Sequence, residues 1–245
     1  MHDNKMLTEI LNINKGQCLT DVLPAIPANT IFDKTITGCG ATHSEIVNAA
    51  RHSIIIEPNI PVILGKKAEH PFLFAVYEGI TKEDVKAYLA GEHDGYRKII
   101  TTPEGFDKKV LPAMHELEIP VYKDYFLLFD ECEKAIQDVG YRGDIYLPVE
   151  DFFKFENKAM VSATPIVPSD PRFEVQGFEM IRIVPTYDYC KDLTVVVTNN
   201  TVCVLRKLLE RYRKAGEKVC IFFNSTDTTL SLIQTLKLQG LSLIH

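Results

Sequence analysis

The hydrophobic pattern of the chain consists of short, continuous apolar runs that alternate with polar segments of helical composition. A run without internal alternation is typical of a strand that is buried on both faces, as in a parallel sheet. The predicted strands span residues 30–36, 53–59, 70–77, 98–106, 125–129, 158–165, 179–184, 193–197 and 218–225. Strands that alternate with helices predict an α/β fold, with a mainly parallel sheet and helices on both faces.

The segments between these runs carry helix signals. Leu7, Ile10, Leu11 and Ile13 have the spacing of a short amphipathic helix. Helices are predicted over residues 7–13, 45–51, 107–117 with a boundary at Pro112, 134–139, 201–215 and 228–238, and after an N-cap at Thr81. Gly216 ends the helix at 201–215, and residues 141–155 are predicted to be irregular.

The composition is that of an ordinary globular protein, with 46% hydrophobic and 24% charged residues among 245. No segment approaches the ~20 apolar residues that a membrane span needs, and the first residues lack a signal-peptide pattern. Six scattered cysteines without a C-x-x-C pair indicate reduced thiols and a cytoplasmic protein. The formal net charge of −6 argues against a surface that is basic throughout, but it leaves room for a local nucleic-acid-binding groove.

An acidic cluster directly follows the apolar run at 125–129. Asp130 and Glu131 come at the carboxyl end of this predicted strand, where ligands bind in open α/β sheets. An apolar strand that ends in Asp-Glu has the pattern of a Walker B element, in which the aspartate holds Mg²⁺ and the next acid polarises an attacking water. The alternative is a core strand followed by a helix whose first turn is acidic.

A glycine-rich turn, T-G-C-G-A-T at 37–42, connects the strand at 30–36 to a predicted helix. Strand, glycine turn and helix in this order are the context of a phosphate-binding loop, whose backbone amides bind anions. Thr42 is then placed to reach Mg²⁺. Ala41 stands where such a loop has lysine, so the charge that meets the β- and γ-phosphates is missing, although Lys34 upstream could reach across. The alternative is a tight glycine turn.

Four short blocks occur in one order: T-G-C-G-A-T at 37–42, T-T-P-E at 101–104, D-E-C-E at 130–133 and S-A-T-P at 162–165. This ordered set resembles the first RecA-like domain of a superfamily 2 helicase of the DEAD/DEAH kind, with a degenerate P-loop that lacks the lysine. The resemblance covers roughly residues 30–225 and implies a RecA-like P-loop NTPase fold. Residues 219–225 are similar to the strand that opens the second RecA-like domain of those enzymes.

The resemblance also implies ATP and Mg²⁺ as ligands and a role for each block. Asp130 and Thr42 would hold Mg²⁺, and Glu131 would orient the attacking water. Ser162 and Thr164 would couple the nucleotide state to strand binding; alternatively, their hydroxyl groups only cap a strand end. The residues implied around the phosphates are Lys34, Thr37, Gly38, Cys39, Gly40, Ala41 and Thr42. Those implied at the sugar–phosphate backbone of single-stranded DNA or RNA are Pro58, Asn59, Thr101, Thr102, Pro103 and Glu104.

The sequence thus predicts an ATP-dependent helicase or translocase, seen as a motor domain at 1–190, a linker at 191–203 and the start of a second RecA-like domain at 204–245. Because about forty residues cannot bury a core of their own, we expect the rest of that second domain to be a missing partner, and we expect negligible ATP hydrolysis by this chain alone.

Two other functions are alternatives to the helicase or translocase hypothesis. Ala41 favours a non-catalytic helicase-like module that acts through a protein partner. A more remote alternative is an unrelated P-loop NTPase of the switch type. The helicase resemblance requires the side chains of Thr42 and Asp130 to meet at one edge of the sheet, since both follow the carboxyl ends of parallel strands.

Overall fold

The computed structural model describes residues 7–132, 149–164, 170–189, 194–217, 219, 221 and 226–236. The chain divides into two compact units, Met1–Tyr189 and Cys190–His245. The predicted helix at 134–139, Glu133 and Pro165 lie outside the described residues, as does most of the predicted strand at 218–225. Val219 and Ile221, which are described, belong to neither a helix nor a strand.

The described residues of the first unit form one sheet of parallel strands. The strands are β1 (Leu7–Ile13), β2 (Thr30–Asp33), β3 (His52–Ile56), β4 (Phe74–Val76), β5 (Lys98–Thr101), β6 (Tyr125–Asp130), β7 (Asn157–Ser162) and β8 (Glu179–Pro185). Their order across the sheet is β1-β8-β2-β7-β6-β3-β5-β4. Several of them are shorter than predicted; β2 ends at Asp33, and β5 stops at Thr101 before a helix begins at Pro103.

Helices connect these strands. They are α1 (Ala41–Val47), α2 (Ile60–Glu69), α3 (Lys82–Ala90), α4 (Pro103–Gly105), α5 (Leu111–Glu116), α6 (Val121–Asp124), α7 (Val149–Lys154) and α8 (Pro171–Val175), with a 3-10 turn at Leu19–Asp21 and a π-helical turn at Phe106–Val110. Thr81 caps α3 as predicted, since its hydroxyl accepts a hydrogen bond from the Asp84 amide (3.1 Å). Pro112 lies in the first turn of α5, directly after the π-helical turn, which is the predicted boundary.

The sheet is buried on both faces, and β6 shows why its sequence is apolar at successive positions. Tyr125, Leu127 and Phe129 pack into one core, together with residues of α3 and α5. Phe126 and Leu128 pack into the opposite core with residues of α1 and α2. Because successive side chains of a strand point to opposite faces, a strand covered on both sides needs apolar residues throughout. The predicted α/β class, with helices on both faces of a parallel sheet, is confirmed.

The connections place three strand ends side by side. The chain leaves β2 and crosses to β3, three strands away, and then continues to β4 at the edge of the sheet. It returns through β5, β6 and β7, and β7 pairs with β2. It then adds β8 on the other side of β2. The carboxyl ends of β2, β7 and β6 are therefore neighbours. They lie where the strand order reverses, which is where ligands bind in sheets of this kind.

The helix predicted for residues 7–13 is wrong, because these residues form β1 and pair in parallel with β8. The apolar spacing fits a helix, yet Ile10 is 54% exposed while Ile13 is buried. β1 lies at the edge of the sheet, and the strand that supplies its hydrogen bonds is far along the chain. A local pattern holds no information about that partner.

The irregular structure predicted for residues 141–155 is wrong over its last part, where residues 149–154 form α7. Phe152 and Phe153 of this helix pack in an aromatic cluster with Phe173 and Phe178. These contacts with residues that are distant in the sequence stabilise a short helix whose own sequence has little helical periodicity.

The strand predicted at 193–197 is also wrong, since residues 194–197 form neither a helix nor a strand. Val195 and Val197 are 78% and 95% exposed. β-branched residues form a strand only beside a neighbouring strand, and no described strand pairs with this segment.

The second unit contains α9 (Thr201–Ala215) and α10 (Thr226–Leu236) among its described residues. The side chain of Asn200 caps α9 by accepting from the Cys203 amide (3.0 Å), and Gly216 ends the helix in the left-handed conformation, as predicted. The start of α9 lies inside the segment predicted to be a linker. No described helix of the chain is long and apolar enough to cross a membrane.

Candidate functional site

A cavity of about 410 Å³ lies at the carboxyl ends of β2 and β6. Its size falls in the range of small-molecule sites. The whole loop at 37–42 lines the cavity, together with Lys34, Asp130 and Glu131. The structure therefore brings every residue predicted at the phosphates or at Mg²⁺ to one place.

The backbone conformation explains the two glycines of the loop. Gly38 and Gly40 have φ angles of 76° and 87°, in the left-handed region that strains residues with a side chain. The carbonyl oxygen of Cys39, between them, accepts a hydrogen bond from the Leu19 amide (2.8 Å). This contact ties the loop, which connects β2 to α1, to the 3-10 turn at Leu19–Asp21.

The side chains of Thr42 and Asp130 meet in the cavity lining, where the Thr42 hydroxyl donates to Oδ2 of Asp130. The two residues are separated by 88 positions in the sequence. The prediction that they meet at one edge of the sheet is confirmed. The pair presents a hydroxyl and a carboxylate oxygen at the same point.

Lys34 lies against both acids. Its Nζ is 2.9 Å from Oδ1 of Asp130 and 3.3 Å from Oε1 of Glu131. Burial by itself would lower the pKa of Lys34, but the charges and hydrogen bonds of the two carboxylates together outweigh burial and raise this pKa above its ordinary value. The ammonium group is therefore charged at neutral pH. It binds the carboxylate oxygen of Asp130 that Thr42 does not use.

The backbone is strained at two residues that flank the ion pair between Lys34 and Asp130. Thr35 and Glu131 have φ angles of 48° and 51°, and such a conformation costs on the order of 1–3 kcal/mol for a residue with a side chain. The Thr35 hydroxyl donates to the Ile183 carbonyl (2.6 Å), and its amide donates to Oδ1 of Asp33 (3.1 Å). Because strained residues concentrate at functional sites, their position here supports a functional role for the cavity.

Ser162 and Thr164 lie at the end of β7, between the ends of β2 and β6. The Ser162 hydroxyl accepts a hydrogen bond from the Thr164 amide (2.9 Å), which is the capping contact expected of a strand end. The Ser162 carbonyl accepts from the Lys34 amide (2.8 Å). This segment is therefore joined by its backbone to the residue that contacts both acids.

The residues predicted at a nucleic-acid backbone fall in two places. Residues 101–103 are buried at the end of β5, and Glu104 is the exposed member of that block. Pro58 and Asn59 follow β3, and Asn59 lines the cavity. The structure thus places Asn59 beside the glycine loop and the other block at a separate strand end.

Glu57 is a third acid in the cavity lining, and the sequence pattern did not single it out. It is buried, and its Oε1 accepts hydrogen bonds from the amide and the side-chain nitrogen of Asn59 (2.9 and 2.8 Å). Burial and the charge of Asp130 raise the pKa of Glu57 to about 7. One signal could have found it, since Glu57 directly follows the apolar residues at 54–56, as Asp130 follows the apolar run at 125–129.

The remaining lining comes from helix residues outside the four sequence blocks. His43 in α1 and Val62 and Lys66 in α2 line the cavity. Nδ1 of His43 lies 3.3 Å from Nε2 of His70, and Nζ of Lys66 lies 3.0 Å from the Glu69 carboxylate. His43 directly follows the loop in the sequence, whereas only the packing of α2 shows that Val62 and Lys66 lie near the loop.

The donor set fits a Mg²⁺ ion that arrives with a nucleotide. Within the described ranges, no three His, Cys, Asp or Glu side chains cluster as a self-contained metal site. Thr42 and Asp130 would supply two oxygen ligands, and Mg²⁺ in such sites takes its remaining ligands from phosphate oxygens and water. The backbone amides of the adjacent loop suit the phosphates.

Comparisons with known proteins agree with this architecture. No family model and no curated protein sequence matches the chain. The crystal structure of the DUF1998 helicase MrfA matches 86% of this chain and 36% of its own, with a TM-score of 0.55 at 14% sequence identity. The Pyrococcus furiosus Hef helicase domain matches 77% of this chain and 44% of its own, with a TM-score of 0.42 at 16% identity. The chain therefore spans less than half the length of either protein. The first of these likenesses shows that the chain has the RecA-like α/β fold found in that helicase.

Proposed function

We propose that the cavity at the ends of β2 and β6 binds MgATP, and that the first unit is a motor domain of a nucleic-acid helicase or translocase. The observation that carries the proposal is the contact between the Thr42 hydroxyl and the Asp130 carboxylate beside the glycine loop at 37–42. The RecA-like fold that the chain shares with a helicase supports it.

Each residue of the site has a distinct role in this proposal. The backbone amides of residues 38–42 bind the phosphates, and Thr42 and Asp130 bind the metal. Mg²⁺ neutralises phosphate charge and orients the reacting phosphate when it is bound. Glu131 orients the water that attacks the γ-phosphate and accepts its proton.

Binding of single-stranded DNA or RNA belongs to the same proposal. The segment at 58–59 and Glu104, the exposed residue of the block at 101–104, face the sugar–phosphate backbone in this proposal, and the buried residues 101–103 position Glu104. Such contacts give affinity without sequence preference. In this proposal, Ser162 and Thr164 couple the nucleotide state to strand binding. One contact supports that role, since the Ser162 carbonyl accepts a hydrogen bond from the amide of Lys34, which lines the nucleotide cavity. A second RecA-like domain is the partner that would complete the ATP cleft.

Titration calorimetry of the chain with ATP tests the proposal. We expect binding in the presence of Mg²⁺, and a loss of roughly tenfold or more in Asp130→Asn, because a charged ligand of the metal is replaced. Glu131→Gln serves as the matched control and retains binding, since Glu131 acts on water rather than on the metal. A folded wild-type chain that does not bind MgATP, or an Asp130→Asn variant that binds equally well, contradicts the proposal.

Ala41 favours a second candidate function, a helicase-like module that binds nucleotide or nucleic acid without turnover and acts through a protein partner. Phosphate release in the presence of single-stranded nucleic acid and a complete second RecA-like domain distinguishes the two. If the chain is part of a motor, Glu131→Gln lowers the rate of phosphate release by about 10²–10³, by analogy with the loss of one catalytic group. A non-catalytic module shows the same background rate with and without Glu131.

A further inference from the structure

The cavity needs a positive charge that its loop does not supply. In a loop of this pattern, a lysine at the start of the helix meets the β- and γ-phosphates, and this chain has Ala41 at that position. The lining also includes three acids, Glu57, Asp130 and Glu131. A triphosphate would therefore enter a site that already holds charges of its own sign, unless a cation of the protein compensates.

We propose that Lys34 is the phosphate-binding cation of this site, and that it replaces the missing loop lysine from the end of β2. The inference rests on the proposed nucleotide function. Nζ of Lys34 lies 2.9 Å from Oδ1 of Asp130, the carboxylate whose Oδ2 bonds the Thr42 hydroxyl. A single carboxylate group therefore separates the ammonium group from the hydroxyl that would bind Mg²⁺. From this place Lys34 reaches the phosphates of a metal-bound nucleotide.

The backbone fixes Lys34 at this point on the cavity wall. Its amide donates to the Ser162 carbonyl (2.8 Å), and its own carbonyl accepts from the Ile36 amide in a tight turn. Thr35, in the left-handed conformation, is tied to β8 through the Ile183 carbonyl (2.6 Å). These contacts hold the start of the side chain, while its end remains in the cavity lining.

Nucleotide binding would change the partners of Lys34. In the structure described here, its ammonium group balances the charges of Asp130 and Glu131. When MgATP is bound, Asp130 is balanced by the metal, and the ammonium group can turn to the phosphates. The same movement removes its contact with Glu131, the residue assigned to the attacking water.

The other lysine in the described lining is less well placed. Lys66 lies on α2, and its Nζ pairs with the Glu69 carboxylate at 3.0 Å. Lys34, in contrast, contacts two of the three acids in the lining, Asp130 and Glu131, and its side chain is 9% exposed. The geometry therefore favours Lys34 as the counterpart of the loop lysine.

The test removes the positive charge at Lys34 and places one at position 41 of the loop. In calorimetry of the full chain with MgATP, we expect Lys34→Ala to weaken binding roughly 10- to 100-fold, the effect of losing a charge-assisted contact. Adding Ala41→Lys to Lys34→Ala should restore most of the affinity, because the charge then reaches the phosphates from the start of α1. A variant that merely loses stability is not rescued in this way.

Lys98→Ala is the matched control. Lys98 is also buried and lies 3.6 Å from a buried carboxylate, that of Glu45, but it does not line the cavity. We expect it to lower stability and to leave the nucleotide affinity unchanged. If Lys34→Ala does not fold, Lys34→Met, which keeps most of the apolar stem, takes its place in the same comparison.

Wild-type affinity in Lys34→Ala or Lys34→Met overturns the inference. So does an equal loss in Lys34→Ala and Lys98→Ala that Ala41→Lys does not repair. A folded wild-type chain that fails to bind MgATP overturns the proposed function itself, so the two failures can be told apart.

Discussion

Asp130 connects the parts of the site at the scale of single residues. Its two carboxylate oxygens bond the Thr42 hydroxyl and the Lys34 ammonium group, and Oδ1 also accepts from the Glu131 amide (3.0 Å). A carboxylate that is 2% exposed is stable only when it is paired in this way. The chain keeps a buried carboxylate at the end of β6 because one cation, Lys34, and one hydroxyl donor, Thr42, reach it from two other segments.

Glu57 gives the same site a dependence on pH. Burial, and then the like charges of Asp130 and Glu131, raise the pKa of Glu57 from 4.5 to about 7. The folded state therefore binds this proton more strongly than the unfolded state. The resulting stabilisation is complete below pH 4.5, and it is lost as the pH rises through about 7.

Glu57→Gln should remove this dependence, because glutamine does not titrate and still accepts the hydrogen bonds of Asn59. We expect the variant to be more stable than the wild type at pH 8, by at most roughly 3 kcal/mol, and to differ little at pH 5. Urea unfolding at the two pH values measures the effect. A stability difference that is the same at pH 5 and pH 8 contradicts this account of Glu57.

At the scale of elements, the loop and α2 provide a matched pair of glycines. Gly38 has a φ angle of 76°, whereas Gly65 lies within α2, and an added Cβ would meet no atom within 4 Å at either position. Gly38→Ala should lower the free energy of unfolding by about 1–2 kcal/mol through backbone strain alone. Gly65→Ala should raise it by about 0.5–1 kcal/mol through helix propensity.

Thermal unfolding and MgATP titration of both variants measure these effects. Only Gly38→Ala should also weaken nucleotide binding, because it disturbs the amides at the phosphates. If Gly38→Ala matches the wild type in stability and affinity, the loop does not require its left-handed conformation.

The elements that could be predicted from sequence share one property, which is that their signal is local. The six buried residues of β6, the cap at Thr81 and the glycines of the loop each follow from their immediate neighbours. β1 could not be predicted, since its edge pairing with β8 depends on a strand at the other end of the first unit. α7 likewise depends on aromatic residues of distant segments.

At the scale of the whole molecule, the order of the strands assembles the site. β7 lies between β2 and β6, so the ends of all three meet, although 96 positions separate Lys34 from Asp130. The general location of the site could be predicted, because parallel strands place their carboxyl ends at one edge. The contact between Lys34 and both acids could not, because it depends on the strained turn at Thr35 and on the length of β2.

The site assignment can be tested by a crystal structure of the chain with Mn²⁺, as a scattering substitute for Mg²⁺, and a non-hydrolysable ATP analogue. We expect an anomalous peak between the Thr42 hydroxyl and the Asp130 carboxylate, with the phosphates against residues 38–42. We also expect Nζ of Lys34 to have moved from Glu131 to a phosphate oxygen. A nucleotide bound elsewhere, or a metal that touches neither Thr42 nor Asp130, would contradict it.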